Sequence, residues 1–178
     1  MMIEFKTTKT LLELEQILAL QAKNTPINLT EIDKKEQGFV TVQHDLAMLK
    51  NMHEFHSHSI ATHNGNVIGY ALSMSKKFRE EIPVLAPMFT EIDASIKSNS
   101  NYIIMGQICI DKNYRGKGIF RGLYTKMRDT FKSKYDCIIT EIDILNIRSI
   151  NAHKAIGFKE LVRYDFNNQT WLVVYMNT

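Results

Sequence analysis

The second half of the chain alternates short apolar runs with amphipathic segments, which predicts strands and helices in alternation. Residues 102–110 and 137–144 are mostly apolar runs of strand length. A helix is predicted over 117–131, and a shorter one over 149–156 ends at Gly157, a good residue to follow a helix. Apolar residues recur every fourth position along one face of the longer helix: Ile119, Leu123, Met127 and Phe131.

Two hairpins are predicted from paired strand patterns and short turns. Strand-like segments 58–62 and 67–74 flank Asn64-Gly65, a strong two-residue turn signal. Segments 158–164 and 170–176 close the chain with a turn through Asn167-Asn168. The remaining predicted elements are a strand over 2–6, a helix capped by Thr8 or Thr10 with Leu11, Leu14 and Leu18 on one face, a short helix within 25–42, and helices over 45–52 and 84–96.

The order of these elements predicts one mixed α/β domain over residues 1–178. A length of 178 residues supports a sizeable core, and the hydrophobic fraction of 44% is ordinary for a globular protein. The net charge of +3 is scattered and predicts no nucleic-acid binding. The sequence has no apolar run of the ~18 residues that a membrane span needs. Cys109 and Cys137 lie in apolar runs, so we expect reduced thiols in a cytoplasmic protein.

One short stretch, NYRGKGIFRGLY at 113–124, concentrates glycine and positive charge where a helix begins. The first N–H groups of a helix have no partner inside the helix, and the peptide dipoles add positive charge there. Gly116 and Gly118 would let the backbone fold around an anion, and Arg115, Lys117 and Arg121 would add charge. The pattern indicates a phosphate or diphosphate site, and a simple tight turn is the alternative.

Two common phosphate motifs do not fit this stretch. A P-loop requires lysine after its last glycine, and Ile119 follows Gly118 here. The dinucleotide fingerprint requires a third glycine, and Arg121 occupies that position.

The stretch resembles the signature Q/R-x-x-G-x-G/A of the GNAT superfamily of acetyl-CoA-dependent N-acetyltransferases. Arg115-Gly116-Lys117-Gly118-Ile119-Phe120 matches it, except that Phe120 replaces a small residue. About 30 residues later, NIRSINAHKAIGF at 146–158 resembles the family segment in which asparagine opens a helix that ends in Gly-Phe. The resemblance covers 56–165 well.

The resemblance implies a fold, a co-substrate and an activity. The fold would be α/β (α+β in some schemes), with a mixed, mostly antiparallel central sheet of six or seven strands flanked by helices. Acetyl-CoA would be the co-substrate, and the protein would transfer its acetyl group to an amine by direct attack in a ternary complex. The cofactor-binding residues would be Ile108, Cys109, Ile110, Arg115, Gly116, Lys117, Gly118, Ile119, Phe120, Arg121, Asn146 and Ser149.

Proton transfer is the second requirement of this chemistry. An alkyl ammonium has a pKa of about 10.4, so only about one in 2,500 is neutral at pH 7 and a base is useful. The resemblance implies Glu141 as the base, five residues before Asn146, and places His153 where many members have a tyrosine acid. Asp143, two residues along the same strand, is a rival base. The alternatives are a Glu141 paired with lysine or arginine and a His153 on a half-exposed helix face.

The acceptor would be a small-molecule or peptide amine, bound by residues of about 24–40 and 76–100. Gly38-Phe39 and the run IPVLAPMF would supply apolar walls, with ordinary core and loop packing as the alternative. Acidic residues would favour a cationic amine, with solvated surface charge as the alternative: Glu80, Glu81, Glu91 and Asp93. The resemblance is also compatible with a homodimer, because paired subunits are common in the family. The run HEFHSH lacks the spacing of a known metal site, so no metal is expected. A non-catalytic acyl-CoA-binding module is the alternative function.

Overall fold

The computed structural model describes residues 2–25 and 43–178, which group into two compact units. The first unit holds Met1–Ser73 and Met105–Thr130, and the second holds Met74–Ile104 and Phe131–Thr178. Residues 26–42 lie outside the described part of the chain, and with them most of the predicted acceptor segment, including Gly38-Phe39, and most of the segment predicted to hold a short helix.

The described residues of the first unit, 2–25, 43–73 and 105–130, contain four neighbouring strands and three helices. In chain order its elements are β1 (Glu4–Thr7), α1 (Leu11–Ala22), α2 (Leu46–Phe55), β2 (Ser59–His63), β3 (Asn66–Met74), the later part of β4 (Tyr102–Ile110), and α4 (Ile119–Phe131). β1, β2 and β3 pair antiparallel, and β4 follows β3 in the sheet. Asn64 and Gly65 both have positive φ in the β2–β3 turn, as a two-residue hairpin requires.

The second unit contains the start of β4 and the rest of the chain. Its elements are two 3₁₀ turns (Lys76–Arg79 and Pro83–Leu85), α3 (Ala86–Ser95), β5 (Cys137–Asp143), α5 (Ile147–Ala155), β6 (Lys159–Phe166) and β7 (Gln169–Asn177). β4 and β5 pair in parallel through Tyr102–Ile104, whereas β7 pairs antiparallel with both β5 and β6. The β6–β7 turn has positive φ at Asn167 and Asn168, which confirms that hairpin.

Through β4, hydrogen bonding gives one sheet of seven strands in the order β1-β2-β3-β4-β5-β7-β6. The predicted mixed α/β class, with a mostly antiparallel sheet of six or seven strands, is confirmed. Among the helices of residues 2–25 and 43–178, none combines the length and the apolar content that a membrane crossing demands.

Each unit has its own buried apolar residues. The face predicted for α4 is confirmed, because its four apolar positions are all buried. In the first unit the fully buried side chains include Ile17, Leu49, Met52, Ile60, Leu72 and Leu123. In the second unit they include Phe78, Ile92, Ile103, Ile138, Ile139 and Val173. Cys109 and Cys137 are buried free thiols.

The helix after β1 buries a different face from the predicted one. Thr10 caps α1, and its hydroxyl accepts from the Glu13 N–H while the Glu13 carboxylate accepts from the Thr10 N–H. The buried residues of α1 are Leu14, Ile17, Leu20 and Gln21, whereas Leu11 is exposed. Of the three leucines predicted on one face, Leu14 is buried and Leu18 is half-buried, whereas Leu11 is exposed because the buried face is centred on Leu14 and Ile17.

Candidate active site

The glycine stretch forms a turn that leads from β4 into α4. Asp111 caps a 3₁₀ turn at Lys112–Tyr114, and Gly116 and Gly118 then take φ of 73° and 76°. The Gly118 carbonyl accepts the first bond of α4, from Gly122 N. The predicted helix therefore begins at Ile119 instead of Lys117, because a left-handed residue at Gly118 cannot lie inside a right-handed helix.

The space in front of this turn suits an anion. A Cβ added at Gly116 or Gly118 would meet no heavy atom within 4 Å. N–H groups at the start of α4 have no partner inside the helix, and the helix dipole adds positive potential there. The turn therefore provides the exposed, glycine-lined backbone that a diphosphate needs.

Two of the basic side chains in the turn stabilise the turn itself. The Arg115 Nε donates to Ile110 O at 3.1 Å, and its guanidinium also donates to Asn24 Oδ1 at 2.7 Å. The Lys117 ammonium donates to Asn113 O at 2.9 Å. Arg115 thus joins the end of β4 to the residues that follow α1, in addition to adding positive charge beside the glycines.

The apolar residues of the motif pack on the protein. Ile119 is buried, and its Cγ2 lies 3.1 Å from the position of a Cβ added at Gly69. Phe120 is half-buried and lies edge-on to the Tyr124 ring, with 5.2 Å between ring centroids. Arg121 is exposed at the start of α4. Phe120 therefore meets a core aromatic ring at the position where the family signature has a small residue.

The predicted cofactor strand carries a buried polar network. The Tyr70 hydroxyl donates to Gln107 Oε1 at 2.6 Å, and the Gln21 side-chain amide donates to the same oxygen at 2.7 Å. Cys109 is buried beside Tyr70, and burial raises the pKa of its thiol to about 12. Ile108 and Ile110 alternate with it and are half-buried. At neutral pH the Cys109 sulfur is therefore a thiol, which is a poor nucleophile.

In the second unit, Glu141 lies on β5 and forms a hydrogen bond with a phenol. The Tyr164 hydroxyl donates to Glu141 Oε2 at 2.5 Å. Burial raises the pKa of Glu141 to about 7, and the hydrogen bond from Tyr164 acts in the opposite direction. A carboxyl with a pKa near neutrality can take up and release a proton under physiological conditions. Among the residues that the structure describes, the partner of Glu141 is the Tyr164 phenol and not the lysine or arginine of the alternative.

The rival base Asp143 takes part in the turn that follows β5. Its Oδ1 accepts from Leu145 N at 2.9 Å, and its Oδ2 accepts from the Gln169 side-chain amide at 3.2 Å. Both carboxylate oxygens therefore hold local structure, which favours Glu141 over Asp143 as the base.

Asn146, Ser149 and His153 belong to one helix. The Asn146 side chain caps α5 by accepting from Ser149 N at 3.1 Å, so the helix begins at Ile147, two residues before the predicted start. The His153 Nδ1 lies 2.7 Å from Ser149 O and 3.3 Å from Ser149 Oγ. Gly157 follows the helix with φ of 104°, as predicted.

His153 is buried, with 1% of its surface exposed, so the alternative of a half-exposed helix face is wrong. Burial lowers the pKa of His153 to about 4, while the bond to Ser149 raises it in part. A carbonyl oxygen can only accept, so Nδ1 carries the hydrogen of the neutral ring and Nε2 is an acceptor. The ring is therefore neutral at pH 7, and the acid role of His153 stays a prediction.

The residues of the predicted acceptor segment 76–100 mainly contact other parts of the protein. Arg79 forms a salt bridge with Asp93 at 2.6 Å, and the Tyr102 hydroxyl donates to Asp93 Oδ1 at 3.0 Å. Met88 and Phe89 of the apolar run are buried, whereas Val84 is 57% exposed. Asp93 is thus held by protein partners, and the buried residues of the run belong to the core.

Sequence reasoning missed Tyr164, which contacts the candidate base. Its register partner on β7 is Trp171, and the partner of Glu141 is Val173, two residues further along β7. Because alternate residues of a strand share a face, all four side chains lie on one face of the sheet. The signal was present in the predicted β6–β7 hairpin, but the pairing of β7 with β5 was needed to use it.

Comparison with known proteins agrees with this geometry. The sequence profile described as the acetyltransferase (GNAT) family matches residues 15–158. No curated protein matches the chain.

Solved structures with the same fold include two N-acetyltransferases and the NatC complex. The ribosomal-protein-S18-alanine N-acetyltransferase from Escherichia coli aligns with a TM-score of 0.64 and 13% identity, over 99% of this chain and 94% of that one. The NatC complex bound to Gag peptide and CoA aligns with a TM-score of 0.68 and 14% identity, over 100% of this chain and 99% of that one. An N-acetyltransferase from Staphylococcus aureus Mu50 aligns with a TM-score of 0.65 and 19% identity, over 99% of both chains. At these identities the likeness shows the shared fold.

Proposed function

The chain belongs to the acetyltransferase (GNAT) family, and from that premise we propose that it transfers the acetyl group of acetyl-CoA to a primary amine. The observation that carries the proposal is the half-buried Glu141 carboxyl on β5, which accepts a hydrogen bond from the Tyr164 hydroxyl. Burial raises the pKa of this carboxyl to about 7. An ammonium acceptor must lose a proton before its nitrogen can attack, and a base that titrates near neutrality is matched to that task.

The turn at Gly116 and Gly118 fits the diphosphate of the co-substrate, because its backbone is open and exposed at both glycines. The residues proposed to hold acetyl-CoA are those predicted from the sequence: 108–110 on β4, 115–121 in the turn and first turn of α4, and Asn146 and Ser149. When bound, acetyl-CoA would supply an activated acyl group as a thioester. The roles of the chain are to orient the co-substrate and to hold and move protons.

The state of the cysteines supports direct transfer. Burial raises the pKa of the Cys109 thiol to about 12 and that of Cys137 to about 11. Both sulfurs are therefore protonated at neutral pH and are poor candidates for a covalent acyl-enzyme. We propose that the acceptor amine attacks directly in a ternary complex.

His153 is proposed to act beside the leaving sulfur. Its neutral ring has Nε2 as an acceptor, so it can hydrogen-bond a thiol or the acceptor without a net charge. A proton donor role would require protonation of a buried ring, which its lowered pKa disfavours. A large loss of activity in His153→Phe, with acetyl-CoA affinity retained, would support a role in catalysis.

The acceptor is proposed to be a small-molecule or peptide amine. One structurally similar protein is a ribosomal-protein-S18-alanine N-acetyltransferase, and another is a complex with a bound peptide. This supports including peptides with free N-termini beside small amines and amino acids in a substrate screen.

The experiment that tests the function is a screen of amines and peptides with acetyl-CoA, in which release of the coenzyme A thiol is measured. The leading acceptor is then used to compare Glu141→Gln with Asp143→Asn. We expect Glu141→Gln to lower kcat by about 10²–10⁴-fold, with acetyl-CoA affinity unchanged by calorimetry. Asp143→Asn should leave most activity.

Two outcomes would contradict the proposal in different ways. Tight acetyl-CoA binding without turnover across the panel would favour the acyl-CoA-binding module instead. Full activity in Glu141→Gln would show that another group removes the proton.

A further inference from the structure

The hydroxyl of Tyr164 and the carboxyl of Glu141 meet across an intervening strand. Glu141 lies on β5 and Tyr164 on β6, and β7 runs between them. Tyr164 reaches over the Trp171–Val173 face of β7 to place its hydroxyl 2.5 Å from Glu141 Oε2. A contact of this reach has to be built by register on both sides of β7, since a shift of one residue would turn either side chain to the other face.

The direction of this hydrogen bond fixes the chemistry of both partners. Burial and the hydrogen bond to Glu141 raise the pKa of Tyr164 above its ordinary value, so the phenol keeps its hydrogen and remains the donor. One carboxylate oxygen, Oε2, is therefore occupied by a donor, and a donor to a carboxylate stabilises its charged form. Oε1 is the other oxygen at which the carboxyl can take up a proton.

We propose that Tyr164 is a positioning residue for the base: it fixes Oε2 of Glu141, directs Oε1 to the acceptor, and keeps part of the carboxyl population ionised at neutral pH. This inference rests on the proposed function, because it assigns Glu141 the task of taking a proton from an amine. A buried carboxyl without a donor would be largely protonated at pH 7 and could not accept a proton.

The other ionisable groups on this face do not replace Tyr164. Asp143 lies two residues along β5 with its oxygens engaged by Leu145 N and Gln169. Tyr175 lies on β7, two residues beyond Val173, and Lys159 on β6 is its register partner. The carboxylate of Glu91, on α3, adds to the raised pKa of Tyr164 and so also keeps the phenol protonated. Among the residues that the structure describes, burial and the Tyr164 hydrogen bond set the pKa of Glu141.

The test measures the carboxyl directly, without substrate. In protein labelled with ¹³C at glutamate Cδ, the Glu141 signal is assigned by its loss in Glu141→Gln and followed from pH 4 to 10. We expect a midpoint near pH 7 in the wild type. In Tyr164→Phe the midpoint should rise by about one pH unit or more, because a hydrogen bond to a charged group is lost. Tyr175→Phe, which removes a phenol from the neighbouring strand, should leave the midpoint in place.

The kinetic readout follows from the same shift. A rise of about one pH unit from a midpoint near 7 leaves about a tenth of the carboxyl ionised at pH 7. Tyr164→Phe should therefore lose about fivefold in kcat/KM at pH 7 and recover by pH 9, with the KM for acetyl-CoA unchanged. A tyrosine that only stabilised the fold would show a loss that raising the pH does not repair.

The outcomes separate this inference from the proposed function. An unchanged or lower Glu141 midpoint in Tyr164→Phe overturns the inference, whatever the activity. A raised midpoint in a protein without acetyl transfer to any acceptor would remove the proposed function while leaving the carboxyl–phenol pair in place. If Tyr164→Phe does not fold, the wild-type Tyr164 ¹³Cζ signal should titrate with the Glu141 midpoint, and a flat signal would overturn the inference.

Discussion

The guanidinium of Arg115 donates a hydrogen bond to the side-chain oxygen of Asn24 at 2.7 Å. Asn24 is buried just after α1 and donates in turn to Leu20 O at 2.9 Å. Arg115 also donates to Ile110 O at the end of β4. The arginine of the glycine-rich motif thus holds the glycine turn against the end of α1, and the position of the turn depends on an uncharged side chain about 90 residues earlier in the sequence.

This relationship predicts that Asn24→Ala weakens coenzyme A binding although it removes no charge. The substitution takes away the acceptor of a charge-assisted hydrogen bond worth about 1.5–3 kcal/mol, so the turn is held less firmly and affinity should fall by about tenfold. Isothermal titration with coenzyme A measures the effect. Lys23→Ala is the matched control, because it removes a nearby cation from the exposed surface and should change affinity little. Equal affinities in wild type and Asn24→Ala would disprove the link.

The left-handed glycine at the start of α4 predicts a separable effect on binding and stability. Gly118 and Gly65 have φ of 76° and 77°, and an added Cβ would meet nothing within 4 Å at either position. Substitution by alanine should therefore lower the free energy of unfolding by a similar amount at both positions, about 1–2 kcal/mol, because of backbone strain. Gly118→Ala should also weaken coenzyme A binding, because the methyl group enters the space proposed for the diphosphate. Gly65→Ala, in the β2–β3 turn, should keep wild-type affinity, and a loss there equal to that of Gly118→Ala would refute the assignment.

Burial of His153 predicts a loss of stability in acid. Its pKa in the folded chain is about 4, below the ordinary 6.5, so the unfolded chain binds this proton more readily. The stability that the neutral ring contributes is fully present above pH 6.5 and is lost as the pH falls through about 4.

Between pH 7.5 and 4.5 the loss in the free energy of unfolding that comes from His153 should amount to about 2–3 kcal/mol. Urea unfolding of His153→Phe should show that much less decline than the wild type over the same range. His58, whose pKa burial lowers to about 3, acts in the same direction and remains in the variant. Ser149→Ala keeps the main-chain partner of His153 and should retain the wild-type decline, and a parallel decline in His153→Phe would contradict the burial of a neutral ring.

Glu141 predicts a pH dependence of the opposite sign. Its pKa in the folded chain, about 7, is above the ordinary 4.5, so the folded protein binds this proton more readily. The stability that the protonated Glu141 carboxyl contributes is fully present below pH 4.5 and is lost as the pH rises through 7. The loss amounts to about 2–3 kcal/mol in the free energy of unfolding. In Glu141→Gln this loss should disappear between pH 4.5 and 7.5. Asp143→Asn is the control and should follow the wild type in denaturant unfolding at both pH values, whereas a wild-type slope in Glu141→Gln would show that Glu141 titrates as an ordinary exposed carboxyl.

Turn residues and the spacing of apolar residues predicted most of the fold, because they reflect the backbone conformation that each short segment prefers. The hairpin turns at Asn64-Gly65 and Asn167-Asn168 need positive φ, which asparagine and glycine tolerate best. The buried stripe of α4 follows from its four-residue spacing, and β4 was bounded at both ends by polar residues. The errors are at helix ends and faces. α4 begins after Gly118 because of backbone conformation, and α1 buries Ile17 and leaves Leu11 exposed because packing selects the face.

The sequence by itself predicted most of the strands and helices and the glycine turn that opens α4, and its resemblance to the GNAT family implied Glu141 as the candidate base. Those features depend on residues close together along the chain. Only the tertiary structure decided that Tyr164 reaches Glu141 across β7, that Arg115 binds Asn24, and that the His153 ring is buried and neutral. Strand order, register and burial set these relationships, and they depend on which distant segments pack together, which the spacing of residues along one chain does not encode.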